Sequence, residues 1–571
     1  MMRRNDGTYR IRRTAVLCVV LSGFCVLAAR AVYLQIFNAD FLQSQGDARH
    51  SRVVKDNSHR GMILDRFGAP LAISTPVDSV WAQPEALAGE RSGWWKLAQL
   101  LGMTSGDIGQ LVKRNDGHEF MYLKRHISPN LAERVMALNV PGVSLLREYR
   151  RYYPLGPVAG HVIGFTNVDD RGQEGVELAY DKWLRAQPGT KRIVRDPQGS
   201  AMELVESLNL PVPGKDLVLS IDRRIQYLAY RELKAAVASN HARAGSAVVL
   251  DARTGEILAL VNEPDFNPNN RGSMKSQVFR NRAVTDLFEP GSTMKPFTAA
   301  MALETGRFHS NTPIDTTPGT IRVGDRLIRD THNNGMLTVA GVIEKSSNVG
   351  ATKLALALDK QVMWETLRRA GFGELTGVAL PGEMVGFLRP PSRWVPVDQA
   401  TIGYGYGLAV TPLQLARAYA ALATNGTLLP VTVLKRDAPV EGRILMDARV
   451  ANEVRAMMEL VVDSGTGTKA RVPDYRVAGK TGTARKLTPT GYSEEKYVSW
   501  FAGFVPATDP RLVMVVMIDE PHNGVYFGGD VAAPVFGRVM TDALRLLDVA
   551  PDAPRSVKPS VATARRPGGG A

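Results

Sequence analysis

The stretch FEPGSTMKPF, residues 288–297, places several chemically distinct features side by side. A Pro-Gly break at Pro290 is followed by the hydroxyl of Ser292, and the cation of Lys295 comes three residues later. A Pro-Gly pair followed by serine is typical of a helix start. Because residues three apart share a face of a helix, the pattern predicts that the hydroxyl and the amine lie side by side.

Two interpretations of Ser292 are open at this point. A serine hydroxyl is a weak nucleophile until a base takes its proton, and a neutral lysine can do so when burial or a nearby cation lowers its pKa from about 10.4. The backbone N–H groups of a helix N-terminus also suit a developing oxyanion. Serine is equally a common N-cap and lysine a common surface residue, so this stretch does not decide alone.

Two further stretches contain side chains of related chemistry. KSSNVG, 345–350, places Ser346 and Asn348 before a helical pattern. Both residues could be helix caps. Alternatively, the Ser346 hydroxyl would relay a proton and the Asn348 amide would bind the substrate. VAGKTGTARK, 477–486, ends like a phosphate-binding loop, but Asp474 stands where that loop requires glycine. The phosphate-binding loop is therefore excluded.

The alternative for the third stretch is a strand that carries Lys480, Thr481, Gly482 and Thr483. Lys480 and the threonine hydroxyls would face an anionic group such as a carboxylate. A glycine inside a strand allows another backbone to approach closely, so Gly482 would admit the substrate backbone.

The order of the three stretches is more specific than any one of them. Ser-x-x-Lys, Ser-x-Asn and Lys-Thr-Gly in this order are typical of penicillin-binding proteins and class A β-lactamases, although that signature has Asp where this chain has Ser347. Separations of 54 residues from Ser292 to Ser346 and of 134 residues from there to Lys480 leave room for a helical subdomain and part of a sheet.

The surrounding pattern predicts an α+β domain. SAVVLDARTGEILALVN, 246–262, and SWFAGFVPATDPRLVMVVMID, 499–519, are each two β-rich runs around a turn. TPLQLARAYAALATNG, 411–426, predicts a helix with a capping box between Thr411 and Gln414. Hairpins at both ends with helices between them favour an antiparallel sheet with segregated helices.

The N-terminal part lacks a catalytic pattern. RGMILDRFGAPLA, 60–72, predicts two short strands around a turn, and the proline-rich stretch 209–216 marks a boundary. The expected regions are 1–13 (a cytoplasmic basic tail), 14–37 (a transmembrane anchor), 38–212 (a pedestal for dimerisation or docking), 213–548 (the catalytic domain) and 549–571 (a disordered tail).

Composition excludes several classes of function. With 571 residues, 44% hydrophobic and 22% charged, the chain is globular and long enough for two or more domains. Its net charge of +14 suits an anionic surface or polymer, but no zinc-finger spacing or RNA-binding aromatic signature is present, so nucleic acid is not an expected partner. The only cysteines, Cys18 and Cys25, lie near the N-terminus, which excludes a disulfide framework and a cysteine metal site from the main body.

The N-terminus predicts a single membrane anchor. Five arginines in residues 1–13 precede the uncharged run 14–29, which Arg30 interrupts before apolar residues continue to Phe37. Arg30 can snorkel, and the basic lead predicts a cytoplasmic N-terminus with the body across the membrane. A cleaved signal peptide and a buried core helix are the alternatives, and apolar character beyond Ala29 favours the uncleaved anchor.

These features resemble the class B penicillin-binding proteins, the membrane-anchored peptidoglycan D,D-transpeptidases. Within that class the chain most resembles the FtsI-type septal branch, which is penicillin-binding protein 3-like. The resemblance implies a pedestal domain followed by a transpeptidase domain like the serine β-lactamases, with an antiparallel sheet, helices on both sides and an all-helical subdomain. It runs from the anchor to about residue 545 through RGMILDRFGAPLA, EGVELAYDKWL (174–184), FEPGSTMKP, SSN, GYGLAVTPLQLARAYAALATNG (405–426) and AGKTGTA.

The resemblance implies a catalytic role for five side chains. Ser292 would attack the carbonyl of the penultimate D-Ala of a stem peptide, and Lys295 would be its base. Ser346 would help carry the proton to the leaving amine. Asn348 would bind the acyl side chain and help to hold Lys295. Lys480 would supply the positive field that keeps Lys295 neutral.

The same resemblance implies how the substrate is held. Thr481, Gly482 and Thr483 would bind the substrate near its carboxylate. The backbone N–H groups of Ser292 and Thr483 would form the oxyanion hole. The family requires no metal and no cofactor, so none is expected here.

The implied partners are stem peptides on the lipid-linked precursor and on nascent glycan strands, β-lactam antibiotics that acylate Ser292, a polytopic membrane glycosyltransferase and other division proteins. The chain would be a single-pass protein of the bacterial inner membrane, with its N-terminus cytoplasmic and its catalytic domain periplasmic. A serine β-lactamase, a β-lactam sensor, an elongation-type transpeptidase and a D,D-carboxypeptidase share the motifs and are the alternatives.

Overall fold

The computed structural model describes residues 6–39, 51–89, 91–195, 201–272, 276–489 and 491–553. Contacts divide the chain into two interleaved units. The smaller unit comprises 1–60, 75–150 and 186–214, and the larger comprises 61–74, 151–185 and 215–571. Residues 61–74 and 151–185 were predicted as pedestal, but they group with the larger unit. Ile63 pairs with Leu217 of that unit. The side chains of Leu71, Val162 and Val176 are part of its core.

A five-stranded antiparallel sheet is the centre of the larger unit. Its strands are β1 (Ala244–Asp251), β2 (Ile257–Glu263), β3 (Ala478–Thr488), β4 (Gly491–Val505) and β5 (Leu512–Asp519). Their order is β2–β1–β5–β4–β3. The predicted hairpins at 246–262 and 499–519 are confirmed, and strand β3, which carries Lys480, lies at the edge of the sheet.

Helices cover both faces of this sheet. The helices of nine or more residues in the larger unit, as far as the structure describes it, are α1 (Arg223–Ser239), α2 (Lys295–Glu304), α3 (Asn348–Leu356), α4 (Lys360–Arg369), α5 (Pro412–Ala423), α6 (Ala448–Asp463) and α7 (Ala533–Leu546). Helix α2 packs against both α3 and α4 in the helical subdomain. The capping box of α5 is confirmed, since Thr411 and Gln414 exchange hydrogen bonds of 2.9 and 3.1 Å.

Two apolar cores lie on opposite faces of the sheet because side chains alternate along a strand. Val249 and Val516 join the core that includes α1 and α7. Val248 and Val515 join the larger core, to which α2, α3 and α5 contribute. Strands β1 and β5 are therefore buried along their whole length, which explains their continuous apolar sequences.

Shorter elements complete the larger unit. The helices are Gly160–Ile163, Gly175–Ala179, Asp181–Leu184, Arg282–Thr285, Val339–Glu344, Pro396–Ile402 and Gly528–Val531. The strands are Ile63–Leu64, Phe165–Thr166, Gly172–Glu174, Leu217–Val218, Pro313–Asp315, Thr320–Val323, Arg326–Arg329, Met336–Thr338, Phe387–Leu388, Leu408–Ala409, Thr427–Leu428 and Arg443–Ile444.

The smaller unit has a three-stranded sheet and a core of its own. Strands Ser51–Asp56, Gly189–Arg195 and Ala201–Asn209 form an antiparallel sheet in that order. Strands Met121–Ile127 and Val143–Tyr152 pair with Pro70–Ala82. The core, which includes Val80, Leu97 and Ile108, is covered by helices Pro84–Gly89, Trp94–Leu101, Ser105–Arg114 and Pro129–Met136.

An exposed helix opens the described part of the chain. It runs from Asp6 to Val32 and continues as a π-helical turn over Tyr33–Phe37. Thr8–Phe37 is long and apolar enough to cross a membrane, and no other helix among the described residues is. This feature fits a single-pass membrane anchor, and a signal sequence would satisfy the same criteria.

The two predicted terminal tails lie partly outside the described residues. Of the predicted basic tail, residues 1–5 lie outside and the following residues begin the helix. Of the predicted disordered tail, residues 554–571 lie outside. Its first residues contact the body, since the carbonyl oxygen of Val549 accepts a hydrogen bond of 2.5 Å from Tyr475 and Asp552 accepts one of 2.7 Å from the N–H of Arg476.

Candidate active site

Ser292 lies in a 3-10 turn, Gly291–Met294, that leads directly into helix α2. Pro290 occupies the cap position, and no side chain caps the turn. Ser292 is therefore not an N-cap, so helix capping does not explain its hydroxyl. Among the described residues, the Ser292 hydroxyl has no hydrogen-bond partner, so its oxygen is available to a reaction partner.

Glycines allow three backbone segments to meet at this turn. The N–H of Gly291, whose φ is +55°, donates a hydrogen bond of 3.0 Å to the carbonyl of Gly405, and a Cβ on Gly405 would lie 1.9 Å from the carbonyl oxygen of Gly291. A Cβ on Gly482 would lie 2.7 Å from the carbonyl oxygen of Pro290. Gly482 thus allows the serine turn to approach the strand closely, and its role in admitting the substrate backbone stays a prediction.

Lys295 is the first residue of α2 and is fully buried, with 0% of its surface exposed. Its Nζ donates hydrogen bonds to the carbonyl oxygen of Ser346 (2.5 Å), to the Ser346 hydroxyl (3.2 Å) and to Oδ1 of Asn348 (2.8 Å). Burial lowers its pKa to about 7, and the carboxylate of Asp330 acts in the opposite direction. A substantial fraction of this lysine is therefore neutral near pH 7.

Ser346 stands between two buried lysines. Its hydroxyl accepts hydrogen bonds from Lys295 and, at 2.9 Å, from Nζ of Lys480. Its backbone has φ of +59°, which is uncommon for a residue other than glycine. The structure thus brings the first, second and third sequence motifs together around one hydroxyl.

Lys480, on edge strand β3, is also 0% exposed. Burial lowers its pKa well below the usual value, and the charge of Lys295 lowers it further. Since repulsion between two ammonium groups is mutual, protonation of one lysine disfavours protonation of the other. Burial is the first cause of the lowered pKa of both lysines, and the expected role of the Lys480 charge in keeping Lys295 neutral stays a prediction.

Asp330 holds the second motif in position. Its carboxylate accepts hydrogen bonds from the Ser347 hydroxyl (2.5 Å) and from the backbone N–H groups of Asn348 (2.5 Å) and Val349 (2.9 Å). Ser347 itself caps α3 by accepting from the N–H of Gly350. A carboxylate at a helix N-terminus is favourable, so Asp330 fixes the start of the helix that carries Asn348.

The threonines of strand β3 already have partners. The Thr481 and Thr466 hydroxyls lie 2.6 Å apart, and the Thr483 hydroxyl accepts a hydrogen bond of 3.0 Å from the N–H of Gly528. The carbonyl of Thr483 lies 3.2 Å from the position of a Cβ on Gly291. The backbone of Thr483 therefore adjoins the Ser292 turn, and the oxyanion-hole role of their N–H groups stays a prediction.

Glu289 connects the serine turn to two other segments. Its Oε1 accepts hydrogen bonds from the N–H of Gly407 (2.7 Å) and from the Tyr492 hydroxyl (2.9 Å). Burial raises its pKa, and these two hydrogen bonds oppose that effect. Glu289 thus stabilises the loop that begins three residues before Ser292.

Three aromatic rings, Tyr404, Tyr406 and Tyr492, form a continuous tyrosine row. The ring centroids of Tyr404 and Tyr406 are 5.7 Å apart, and those of Tyr406 and Tyr492 are 5.5 Å apart. The Tyr406 hydroxyl accepts a hydrogen bond of 3.0 Å from the backbone N–H of Arg485 on strand β3. The row therefore adjoins the edge strand that carries the third motif.

Several residues that build the site were not predicted from the sequence. Asp330 precedes the turn-like stretch THNNG, and nothing in its spacing connects it to the second motif. Thr466 and Gly405 lie in glycine-rich segments without a distinctive pattern. Among the described residues, no group of three or more His, Cys, Asp or Glu side chains is placed to hold a metal ion.

Family comparisons agree with this arrangement. The family model described as Penicillin binding protein transpeptidase domain matches residues 245–541, and the one described as Penicillin-binding Protein dimerisation domain matches residues 55–219. The fold and the three motifs thus define a penicillin-binding class of protein.

Individual relatives cover nearly the whole chain. Peptidoglycan D,D-transpeptidase FtsI of Escherichia coli K12 is 42% identical over 550 residues, which are 95% of this chain and 93% of that protein. The probable peptidoglycan D,D-transpeptidase PenA of Neisseria meningitidis is 41% identical over 548 residues, 95% of this chain and 94% of its own length. The chain belongs to the class B penicillin-binding proteins.

Solved structures extend the similarity to three dimensions. The transpeptidase domain of Burkholderia pseudomallei penicillin-binding protein 3 is 46% identical, with a TM-score of 0.55, and matches 59% of this chain and 98% of that one. Penicillin-binding protein 3 of Mycobacterium tuberculosis, complexed with aztreonam, is 27% identical, with a TM-score of 0.68, and matches 88% of this chain and 99% of that one.

Proposed function

We propose that this chain cross-links peptidoglycan stem peptides through an acyl-enzyme on Ser292. Its membership of the class B penicillin-binding proteins makes the chain a peptidoglycan D,D-transpeptidase that binds β-lactams. The observation that carries the residue assignment is the meeting of Lys295, Lys480 and Asn348 around Ser346, directly beside the Ser292 turn.

In the first half of the reaction, the Ser292 oxygen attacks the carbonyl carbon of the penultimate D-Ala while its proton passes to neutral Lys295. The tetrahedral intermediate then collapses, its C–N bond breaks, and the proton passes through the Ser346 hydroxyl to the leaving D-Ala amine. The hydrogen bonds of both lysines to Ser346 support this proton path. An ester between Ser292 and the donor peptide remains.

In the second half, the amine of a neighbouring stem peptide attacks the ester carbonyl. A new C–N bond forms, the C–O bond to Ser292 breaks, and the amine proton returns to the Ser292 oxygen. Backbone N–H groups of Ser292 and Thr483 stabilise the oxyanion in both halves. Asn348 binds the donor acyl group in both halves, and Thr481 and Thr483 bind the carboxylate of the terminal D-Ala in the first half, before that D-Ala leaves.

Intact mass spectrometry of the full-length protein with benzylpenicillin tests this assignment. We expect an adduct of one penicillin that persists for hours and is absent from Ser292→Ala. Ser276→Ala, at an exposed serine away from the site, is the matched control and should form the adduct normally. An adduct on the Ser292→Ala variant would refute the nucleophile, and rapid return to the free mass would favour a serine β-lactamase.

We also propose that the chain acts at the division septum. Its 42% identity to FtsI over 95% of its length supports the septal branch over the elongation type. Depletion of the protein in its host should produce filaments, whereas rounded cells would indicate an elongation role. A fluorescent fusion should concentrate at mid-cell before constriction.

The proposed topology places the N-terminus in the cytoplasm and the catalytic domain in the periplasm. Arg10, Arg12 and Arg13 at the start of the exposed helix support this orientation. In a background where Cys18 and Cys25 are alanine, Ser276→Cys should react with a membrane-impermeant maleimide on intact spheroplasts. Thr8→Cys should react only after permeabilisation, and the reverse result would invert the topology.

We further propose that residues 38–212 form a pedestal that docks a polytopic membrane glycosyltransferase and other division proteins, while 213–548 form the transpeptidase domain. The matched dimerisation-domain family over residues 55–219 supports a role in association for this region. Crosslinking in membranes should capture partners through residues 38–212, and capture only through 213–548 would contradict the assignment.

A further inference from the structure

A hairpin rich in arginine leads into the second motif. Strands Thr320–Val323 and Arg326–Arg329 pair antiparallel, and we call them the arginine hairpin. Arg322, Arg326 and Arg329 are exposed, and the hairpin has a single acid, Asp325. None of the three guanidinium groups forms an ion pair with any residue that the structure describes.

The arginine hairpin is joined to the active site at its end. The Nδ2 of Asn348 donates a hydrogen bond of 2.9 Å to the carbonyl oxygen of Arg329, and the next residue is Asp330, whose carboxylate caps α3. In the proposed function, Asn348 binds the donor acyl group. The hairpin therefore lies on the donor side of the site.

The two faces of the arginine hairpin have different environments. Val323 and Ile328 are buried and pack with Ala400 and the partly buried Tyr404. Arg326 is paired across the hairpin with Val323, so its side chain is on this same face. Arg322 is paired with exposed Leu327 and lies on the opposite face.

Arg326 adjoins the tyrosine row. Burial raises the pKa of Tyr404 to about 12, and the charge of Arg326 opposes this rise. Burial likewise raises the pKa of Tyr492, again opposed by Arg326. Arg326 shares a hairpin face with Val323 and Ile328, which pack with Tyr404. The tyrosine row continues from Tyr404 to Tyr492, which donates a hydrogen bond to Glu289 beside the serine turn.

We propose that Arg326 is a specificity-determining residue that binds a free carboxylate on the donor stem peptide, carried by the side chain that precedes D-Ala-D-Ala. Guanidinium groups bind carboxylates through paired, charge-assisted hydrogen bonds, and an arginine without an acidic partner is available for one. The inference rests on the proposed function, because it requires a stem peptide in the site. In this proposal Arg326 binds the side-chain carboxylate, whereas Thr481 and Thr483 bind the terminal carboxylate.

Two synthetic donor peptides that differ in one group test the proposal. Both end in D-Ala-D-Ala, and the preceding side chain carries either a carboxylate or the corresponding carboxamide. With full-length protein, kcat/KM for acyl-enzyme formation should fall by about ten- to a hundredfold in Arg326→Gln for the carboxylate donor. The carboxamide donor should be unaffected by the substitution, and Arg326→Lys should restore part of the preference.

Arg322→Gln is the matched control, because it removes the same charge from the opposite face of the same hairpin. It should leave the preference between the two donors unchanged. Benzylpenicillin, which lacks the tested carboxylate, should acylate Arg326→Gln at the wild-type rate, and a failure there would implicate the proposed catalytic site instead.

Three results would overturn the proposal. The first is an equal loss on both donors, and the second is no loss on either. The third is a dependence on a carboxylate of the acceptor peptide rather than of the donor. The first two are measured with the two donors, and the third with acceptor amines that carry or lack a carboxylate, in the complete cross-linking reaction.

Discussion

Lys295 gives the acylation reaction a defined dependence on pH. Burial lowers its pKa to about 7, and only the neutral amine can take the Ser292 proton. The second-order rate of acylation by benzylpenicillin should therefore be low at about pH 5, rise through a midpoint near 7 and level off above it. Stopped-flow measurements across this range check the sign and the midpoint.

A rate that falls with rising pH would assign the base to another group. Lys295→Arg serves as the control for charge, since an arginine stays protonated and should show no comparable rise. Circular dichroism at each pH separates loss of catalysis from loss of folding.

Asp330 sets that midpoint through its charge. Its carboxylate raises the pKa of Lys295, so Asp330→Asn should move the acylation midpoint to lower pH. The asparagine oxygen can still accept from the N–H groups of Asn348 and Val349, and the plateau rate should fall less in Asp330→Asn than in Asp330→Ala. The same pH series measures both effects.

An unchanged midpoint in Asp330→Asn would mean that the carboxylate acts through geometry alone. Asp325→Asn, five residues away on the hairpin turn, removes an equal charge and is a suitable control. It should leave the midpoint where it is in the wild type.

At the scale of elements, strand β3 and the serine turn are packed backbone to backbone. A Cβ on Gly482 would lie 2.7 Å from the carbonyl oxygen of Pro290 and 2.9 Å from the Thr293 methyl, so Gly482→Ala must push the turn from the strand. We expect a loss of about 1–3 kcal/mol of stability and a much larger relative loss of acylation. Thermal unfolding and penicillin acylation measure the two.

Gly89→Ala is the control for the loss of a glycine, because no atom lies within 4 Å of its added Cβ. Gly89→Ala should change neither the thermal stability nor the rate of acylation by penicillin. Normal acylation by Gly482→Ala would show that the two backbones can separate without cost.

A buried ion pair stabilises the segment 151–185. Arg151 and Glu177 are 2.6 Å apart, and their side chains are 1% and 0% exposed. Glu177→Gln leaves a buried guanidinium uncompensated, which should cost about 3 kcal/mol or more in denaturant unfolding. The exposed pair of Arg185 and Asp181 in the same segment is the comparison, and Arg185→Gln should cost less than about 1 kcal/mol.

Local patterns predicted the elements well. Hairpins, the capped helix α5 and the apolar alternation follow from neighbouring residues, and the structure confirms them. The contacts of Asp330, Thr466 and Gly405 depend on how distant segments meet, so no local pattern could indicate them. The sequence predicted that Gly482 allows another backbone to approach closely. The structure shows that the serine turn does so, and approach of the substrate backbone stays a prediction.

At the scale of the whole molecule, the exposed helix determines where the enzyme works. The helix Thr8–Phe37 is apolar and its most apolar window is not buried in the protein, which fits a single-pass membrane anchor. The full-length chain should stay in the pellet after alkaline carbonate extraction. A chain beginning at residue 38 should become soluble and still form the penicillin adduct, whereas release of the full-length chain by carbonate would contradict the anchor.

The sequence did not predict that each of the two units is built from several separate segments of the chain. The proline-rich boundary suggested one division of the chain, whereas residues 61–74 and 151–185 contribute side chains to the larger core. Strand pairing between residues 63–64 and 217–218 joins segments about 150 residues apart, and periodicity does not reveal such pairs.

The glycines around the nucleophile also limit how the protein can evolve. At Gly405 and Gly482 even one methyl group would collide with the backbone that carries Ser292. Selection by an antibiotic can therefore act on neither position without harming the native reaction. Substitutions in this protein that confer drug resistance should therefore leave Gly405 and Gly482 unchanged and occur at positions with room for a side chain.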